Sequence, residues 1–135
     1  MARAELESRW ITRCNTDEIA RFLERFCGRH RVKVVGRREG ELVGKQGSQW
    51  KTRLLGGWFV NPADFPKRIT IHYQPRGADC EVHVRMEETM GLGILDAHFK
   101  GRYESYFNEW MEQLQYSIPP VDDGPGVVDA IVVEP

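Results

Sequence analysis

The feature that most constrains this chain is the stretch over residues 67–112, where a two-strand pattern runs directly into one long amphipathic helix. The strands read Arg68-Ile-Thr-Ile-His-Tyr-Gln74 and Cys80-Glu-Val-His-Val-Arg-Met86, joined by the turn Pro75-Arg-Gly-Ala-Asp79. Alternation puts Ile69, Ile71, Tyr73, Val82, Val84 and Met86 on one shared face. After a break at Gly91-Leu-Gly93, the residues Leu95, Phe99, Tyr103, Tyr106, Phe107, Trp110 and Leu114 recur at helical spacing. A helix with that stripe needs an apolar surface to cover, and the hairpin supplies one. The fold class is therefore α+β, an antiparallel sheet packed against helices.

Upstream, residues 7–14 alternate as a first strand, with Trp10, Thr12 and Cys14 on one side. Asn15-Thr-Asp-Glu18 then fits a capping box, Asn15 capping the helix and Glu18 reaching back. Ile19, Phe22, Leu23, Phe26 and Cys27 form one apolar stripe, and Gly28 is expected to end the helix. Residues 31–38 read as a strand with Val32 and Val34 on one face, turning at Glu39-Gly40. Residues 42–55 read either as one long strand kinked near Gly44 and Gly47, or as a strand followed by a short helix capped by Ser48. Residues 56–67 form a loop.

The resulting order is β-α-β-β-β-β-α. It resembles the TATA-binding-protein-like (TBP-like) fold and, more loosely, the shortened helix-grip proteins of the Bet v 1 and START-like type. The resemblance covers residues 7–116 and lies in element order; it transfers no site residue. It implies one of two uses: an apolar pocket between helix and sheet, or a sheet face presented to a polyanion. One domain is expected over residues 1–118, since 135 residues bury a sizeable core without cross-links. Residues 119–135 form a proline/glycine linker and a C-terminal tail. Within the tail, Val127, Val128, Ile131, Val132 and Val133 predict docking as an added strand on a sheet edge, of this domain or of a neighbouring subunit. That edge is expected near Arg37 or Lys45, opposite in charge to Asp129 and Glu134.

Several activities are disfavoured by what is absent. The N-terminus lacks the apolar core of a signal peptide and no run approaches the ~20 apolar residues of a membrane span, so a cytoplasmic protein is expected. Cys14, Cys27 and Cys80 stand in unrelated contexts without a CxxC pair, and all three are expected to be reduced. Net charge is −1 but unevenly spread. Between residues 29 and 53, eight basic residues stand against two acids; from Glu104 onward there are seven acids and no lysine or arginine. Neutralisation within the fold or a dimer is the simpler reading, and the acidic overall balance makes nucleic acid an unlikely partner.

No catalytic, metal or cofactor motif stands in the chain, so no catalytic residue, metal ligand or cofactor is assigned. Three groups of residues nevertheless carry some weight. His72 and His83 share the face opposite the core and pair across the hairpin if the turn centres on Gly77-Ala78. With Glu81, or with Glu87 and His98, they supply the residue types of a metal site or small enzyme, although a third ligand is not evident. Glu87 and Glu88 point to opposite faces and form no dyad. The basic strands from Arg31 to Arg53 carry Trp50, whose parity with Leu42 and Leu54 aims it at the core. The third group is aromatic. Trp58, Phe59 and Phe65 lie in a proline-locked loop and, with Tyr103 and Trp110, would line an apolar ligand pocket.

The reading with most support is thus a non-catalytic binding or protein-interaction domain holding a small apolar ligand between sheet and C-terminal helix. Its alternatives are an enzyme or metal-binding protein using His72, His83, Glu87 and His98, and nucleic-acid binding through the basic strands.

Overall fold

The computed structural model describes residues 4–47, 65–89, 97–121 and 131–132; the side chains of 97–99 and 131–132 lie outside that description. Among these residues the order is β1 (Glu5–Thr12), α1 (Thr16–His30), β2 (Lys33–Arg38), β3 (Glu41–Gln46), β4 (Lys67–Arg76), β5 (Asp79–Glu88), α2 (Ala97–Ser117) and β6 (Ile131–Val132). All strands join one antiparallel sheet in the order β2-β3-β4-β5-β1-β6. The α+β class expected from the sequence, an antiparallel sheet with helices packed on it, is present.

One face of the sheet is the core. Leu42, Ile69, Ile71, Val82, Val84, Met86, Leu6 and Trp10 are all buried there. They meet Ile19, Leu23, Phe26 and Cys27 of α1 and Tyr103, Phe107, Trp110, Met111 and Leu114 of α2 in a single cluster. Phe26 and Trp110 join the two helices edge to face, with ring centroids 5.3 Å apart. The opposite sheet face carries His72, His83, Glu81 and Arg85 and has no helix over it among the described residues.

The α1 capping box is complete. Asn15 Oδ1 accepts from the Glu18 backbone N–H at 2.8 Å, and Glu18 Oε1 accepts from Asn15 N–H at 3.1 Å. The helix does not stop at Gly28 as expected. It continues to His30 and ends at Arg31, which adopts the left-handed conformation at φ 56°, ψ 40°. The extra turn lets His30 stack near Phe26 and Trp110 and contact Gln113 of α2 at 2.5 Å. Interhelical packing thus outweighs the stop signal.

Two further expectations need correction. Val34, read on one face with Val32, is 38% exposed, whereas Val32 is buried. The β2–β3 register shifts between Val34 and Gly36, so Val35 is an extra, bulged residue on an edge strand. The tail does dock as a strand on its own domain, but Ile131 and Val132 pair with Glu7 and Leu6 of β1. That edge is opposite to β2, not the Arg37/Lys45 side expected from charge, and Asp129 and Glu134 lie outside the described residues. Before it, Val121 N–H donates to the Ile11 carbonyl at 2.8 Å and Pro120 bridges Thr12, so residues 119–121 run alongside the end of β1. The choice between one long strand and a strand plus helix over 42–55 is described only as far as Gln46, where β3 ends.

Candidate functional site

The residues expected to line a ligand pocket divide in two. Trp58 and Phe59 lie outside the described residues. Phe65, Tyr103 and Trp110 are brought together: all three are buried, Phe65 and Tyr103 ring centroids are 5.1 Å apart, and Tyr106 joins Trp110 at 5.1 Å. They belong to the packed interior between α2 and the end of the sheet where β4 begins.

At their centre is a residue the sequence reading passed over. Lys67 is 1% exposed. Its ammonium donates to the Phe65 carbonyl at 2.6 Å and to Gln46 Oε1 at 2.9 Å, and lies 4.5 Å from the Tyr106 ring centroid and 5.7 Å from that of Trp110. A lysine is almost never fully buried unless it is compensated, and here carbonyl oxygens and π-faces share that task. The strand register explains its position. Gln46, Lys67 and Glu88 are direct neighbours across β3, β4 and β5, and all point to the core face. Lys67 shares the parity of Ile69, Ile71 and Tyr73, as Glu88 shares that of Val84 and Met86. Extending the alternation by one step at each strand end would have found both.

Tyr103 and Glu88 complete the polar lining. The Tyr103 hydroxyl donates to the Pro66 carbonyl at 2.8 Å. Burial, reinforced by the Glu88 charge, pushes its phenol far above the ordinary tyrosine range, so it remains a neutral donor. Gln46 also donates to the His30 carbonyl, tying this end of the sheet to the end of α1. Within this cluster one donor is left over. Trp110 Nε1 is buried and has no hydrogen-bond partner among the described residues, whereas the buried indole of Trp10 donates to the Ile118 carbonyl at 2.8 Å. An orphaned buried N–H costs about 1–3 kcal/mol and calls for an explanation.

The histidine group is also assembled. His72 and His83 pair directly across β4 and β5 and stack with centroids 6.2 Å apart. His72 Nδ1 lies 3.4 Å from Glu41 Oε2, and His83 Nε2 lies 3.4 Å from Glu7 Oε2. Each imidazole is thus turned toward its own carboxylate on a separate strand. Among the described residues no set of three or more histidine, cysteine or acidic side chains converges on one metal position. Glu87 faces the same side but engages Arg68 and Arg85 at 4.0 and 3.9 Å, and the His98 side chain lies outside the description. Glu87 and Glu88 do face opposite ways.

Among the described residues, two concavities are also found away from Lys67. One of about 570 Å³ is lined by Thr12, Arg13, Cys14, Glu18 and residues 119–121, at the far end of β1 from Lys67. Another, of about 350 Å³, lies over His72, His83, Arg9 and Glu81.

No protein-family model matches the chain, and no curated protein matches its sequence. Among solved structures, the crystal structure of TTHA0849 from Thermus thermophilus is similar. It shares 10% identity over 84% of this chain and 95% of the other, with a TM-score of 0.42. No described helix is long and apolar enough to cross a membrane.

Proposed function

We propose that this protein binds a small, largely apolar molecule carrying an anionic or hydrogen-bond-accepting head, at the Lys67 end of the space between α2 and the sheet. The observation that carries this reading is a buried indole N–H, Trp110, that has no acceptor among the described residues and stands in one aromatic cluster with a buried ammonium, Lys67, held by the Phe65 carbonyl and Gln46. A domain selected only for stability would fill these positions with apolar side chains, because burying a polar group is costly unless it is fully compensated. Donors set among Phe65, Tyr103 and Tyr106 match the composition of small-molecule sites, a mostly apolar lining with few polar groups. The role is binding, not catalysis. Tyr103 stays protonated, and Lys67 is held between acceptors and rings instead of being presented as a base or nucleophile.

The test is calorimetric titration of dodecanoate, an apolar chain with a carboxylate head, into the wild-type protein and Lys67→Met. Saturable one-to-one binding, weakened at least tenfold in Lys67→Met while the far-ultraviolet spectrum is unchanged, is the expected result. Equal binding by both proteins, or none by the wild type, contradicts the reading.

A further inference from the structure

We infer that the ridge of Arg21, Arg25 and Arg29 on α1 and the edge strand β2 form one docking surface for an anionic lipid membrane, with Val34 and Val35 entering the headgroup boundary between cations that engage its phosphates. This stands independently of the ligand reading, since none of its residues belongs to the Lys67 cluster.

The cations are segregated. Arg21, Arg25 and Arg29 recur every four residues on the exposed side of α1 and so form a single ridge. Arg31 ends the helix, and Lys33, Arg37 and Arg38 follow on β2, all exposed. The two elements meet at this corner, where Arg37 Nη1 lies 3.0 Å from Glu24 Oε1. On the neighbouring strands β4 and β5, Arg68, Arg76 and Arg85 each meet a glutamate. In the patch, among the described residues, Arg21, Arg29, Arg31, Lys33 and Arg38 have no carboxylate within ion-pair distance. In addition, Lys33 lies directly opposite Lys45 across β2 and β3, and both are exposed. Like charges in that position are unfavourable, and an external anion relieves the repulsion.

The apolar residues decide which polyanion fits. Val34 and Val35 are 38% and 49% exposed, two of three large apolar side chains exposed among the described residues. The third, Tyr116, belongs to the end of α2. A nucleic acid backbone offers a valine nothing, and no exposed aromatic accompanies these valines to stack on a base among the described residues. An added protein strand is opposed by the bulge at Val35 and by the flanking charges, both of which blunt sheet edges. The interface of an anionic bilayer accepts both kinds of side chain: cations gain from its surface potential and valines leave water.

The test is co-sedimentation of the full chain with vesicles of roughly seven parts phosphatidylcholine to three parts phosphatidylserine, with pure phosphatidylcholine as the comparison. The full chain is expected to sediment with the anionic vesicles only, and to be released as salt rises toward about 0.5 M. Arg21→Glu with Arg29→Glu should lower the bound fraction at least tenfold, Val35→Asp should lower it severalfold, and Lys67→Met should leave it unchanged. Equal sedimentation with neutral vesicles, or retention by the double arginine variant or by Val35→Asp, overturns the proposal. So does tighter binding to a duplex DNA of about 20 base pairs with the same arginine dependence, which would make the patch a nucleic-acid surface.

Discussion

Arg31 shows how single residues record competing demands. Its left-handed backbone is a conformation that costs a non-glycine residue roughly 1–2 kcal/mol, yet it closes α1 beyond Gly28. Arg31→Gly should therefore raise stability by about 0.5–1 kcal/mol, measured as a higher urea midpoint at unchanged slope. Cys27 gives a second prediction at this scale. Burial, its largest influence, raises its thiol above the ordinary 9.0, with Arg37 opposing and Glu24 assisting. Above about pH 9 the unfolded chain releases a thiol proton that the folded chain retains, so stability falls as pH rises. Cys80 acts in the same direction, through burial first and then Asp79 and Cys14. Urea denaturation followed across pH 8 to about 10.5 should show this decline, and Cys27→Ala should flatten it without abolishing it.

At the scale of elements, the hairpins and α1 were legible because local chemistry and long-range packing agree. The period-2 pattern of Ile69, Ile71 and Tyr73 opposite Val82, Val84 and Met86 gives the register found, down to the His72–His83 pair. The β2–β3 turn is equally local. Gly40 has φ +76°, and a Cβ there would lie 2.7 Å from the Tyr73 carbonyl. Gly40→Ala should thus destabilise by about 2 kcal/mol or more in chemical denaturation, from backbone strain together with that contact. The bulge at Val35 was not legible, because its cause is an offset between two strands and not a signal within either. The same holds for the tail. Its apolar run predicted strand addition, but both sheet edges suited it, and charge pointed to the edge that it does not use.

For the molecule as a whole, class and layering could be read from the sequence, whereas the site could be read only in part. Phe65, Tyr103 and Trp110 pack together in one interior, as large aromatics on an amphipathic helix and beside a strand start do, and their use as a ligand lining is the proposal made above. Lys67 was hidden by its charge: lysine at a strand end normally marks solvent, and only the neighbouring row of Gln46 and Glu88 reveals that it points inward. That buried ammonium beside the orphaned Trp110 indole is the centre of the account. Its most direct test is native mass spectrometry of freshly purified wild-type protein and Lys67→Met. The wild-type protein is expected to show a population heavier by one small molecule, identifiable as an apolar compound with an acceptor or anionic head, and the lysine variant to have largely lost it. A wild-type mass matching the bare polypeptide, or the same adduct retained by Lys67→Met, would contradict it.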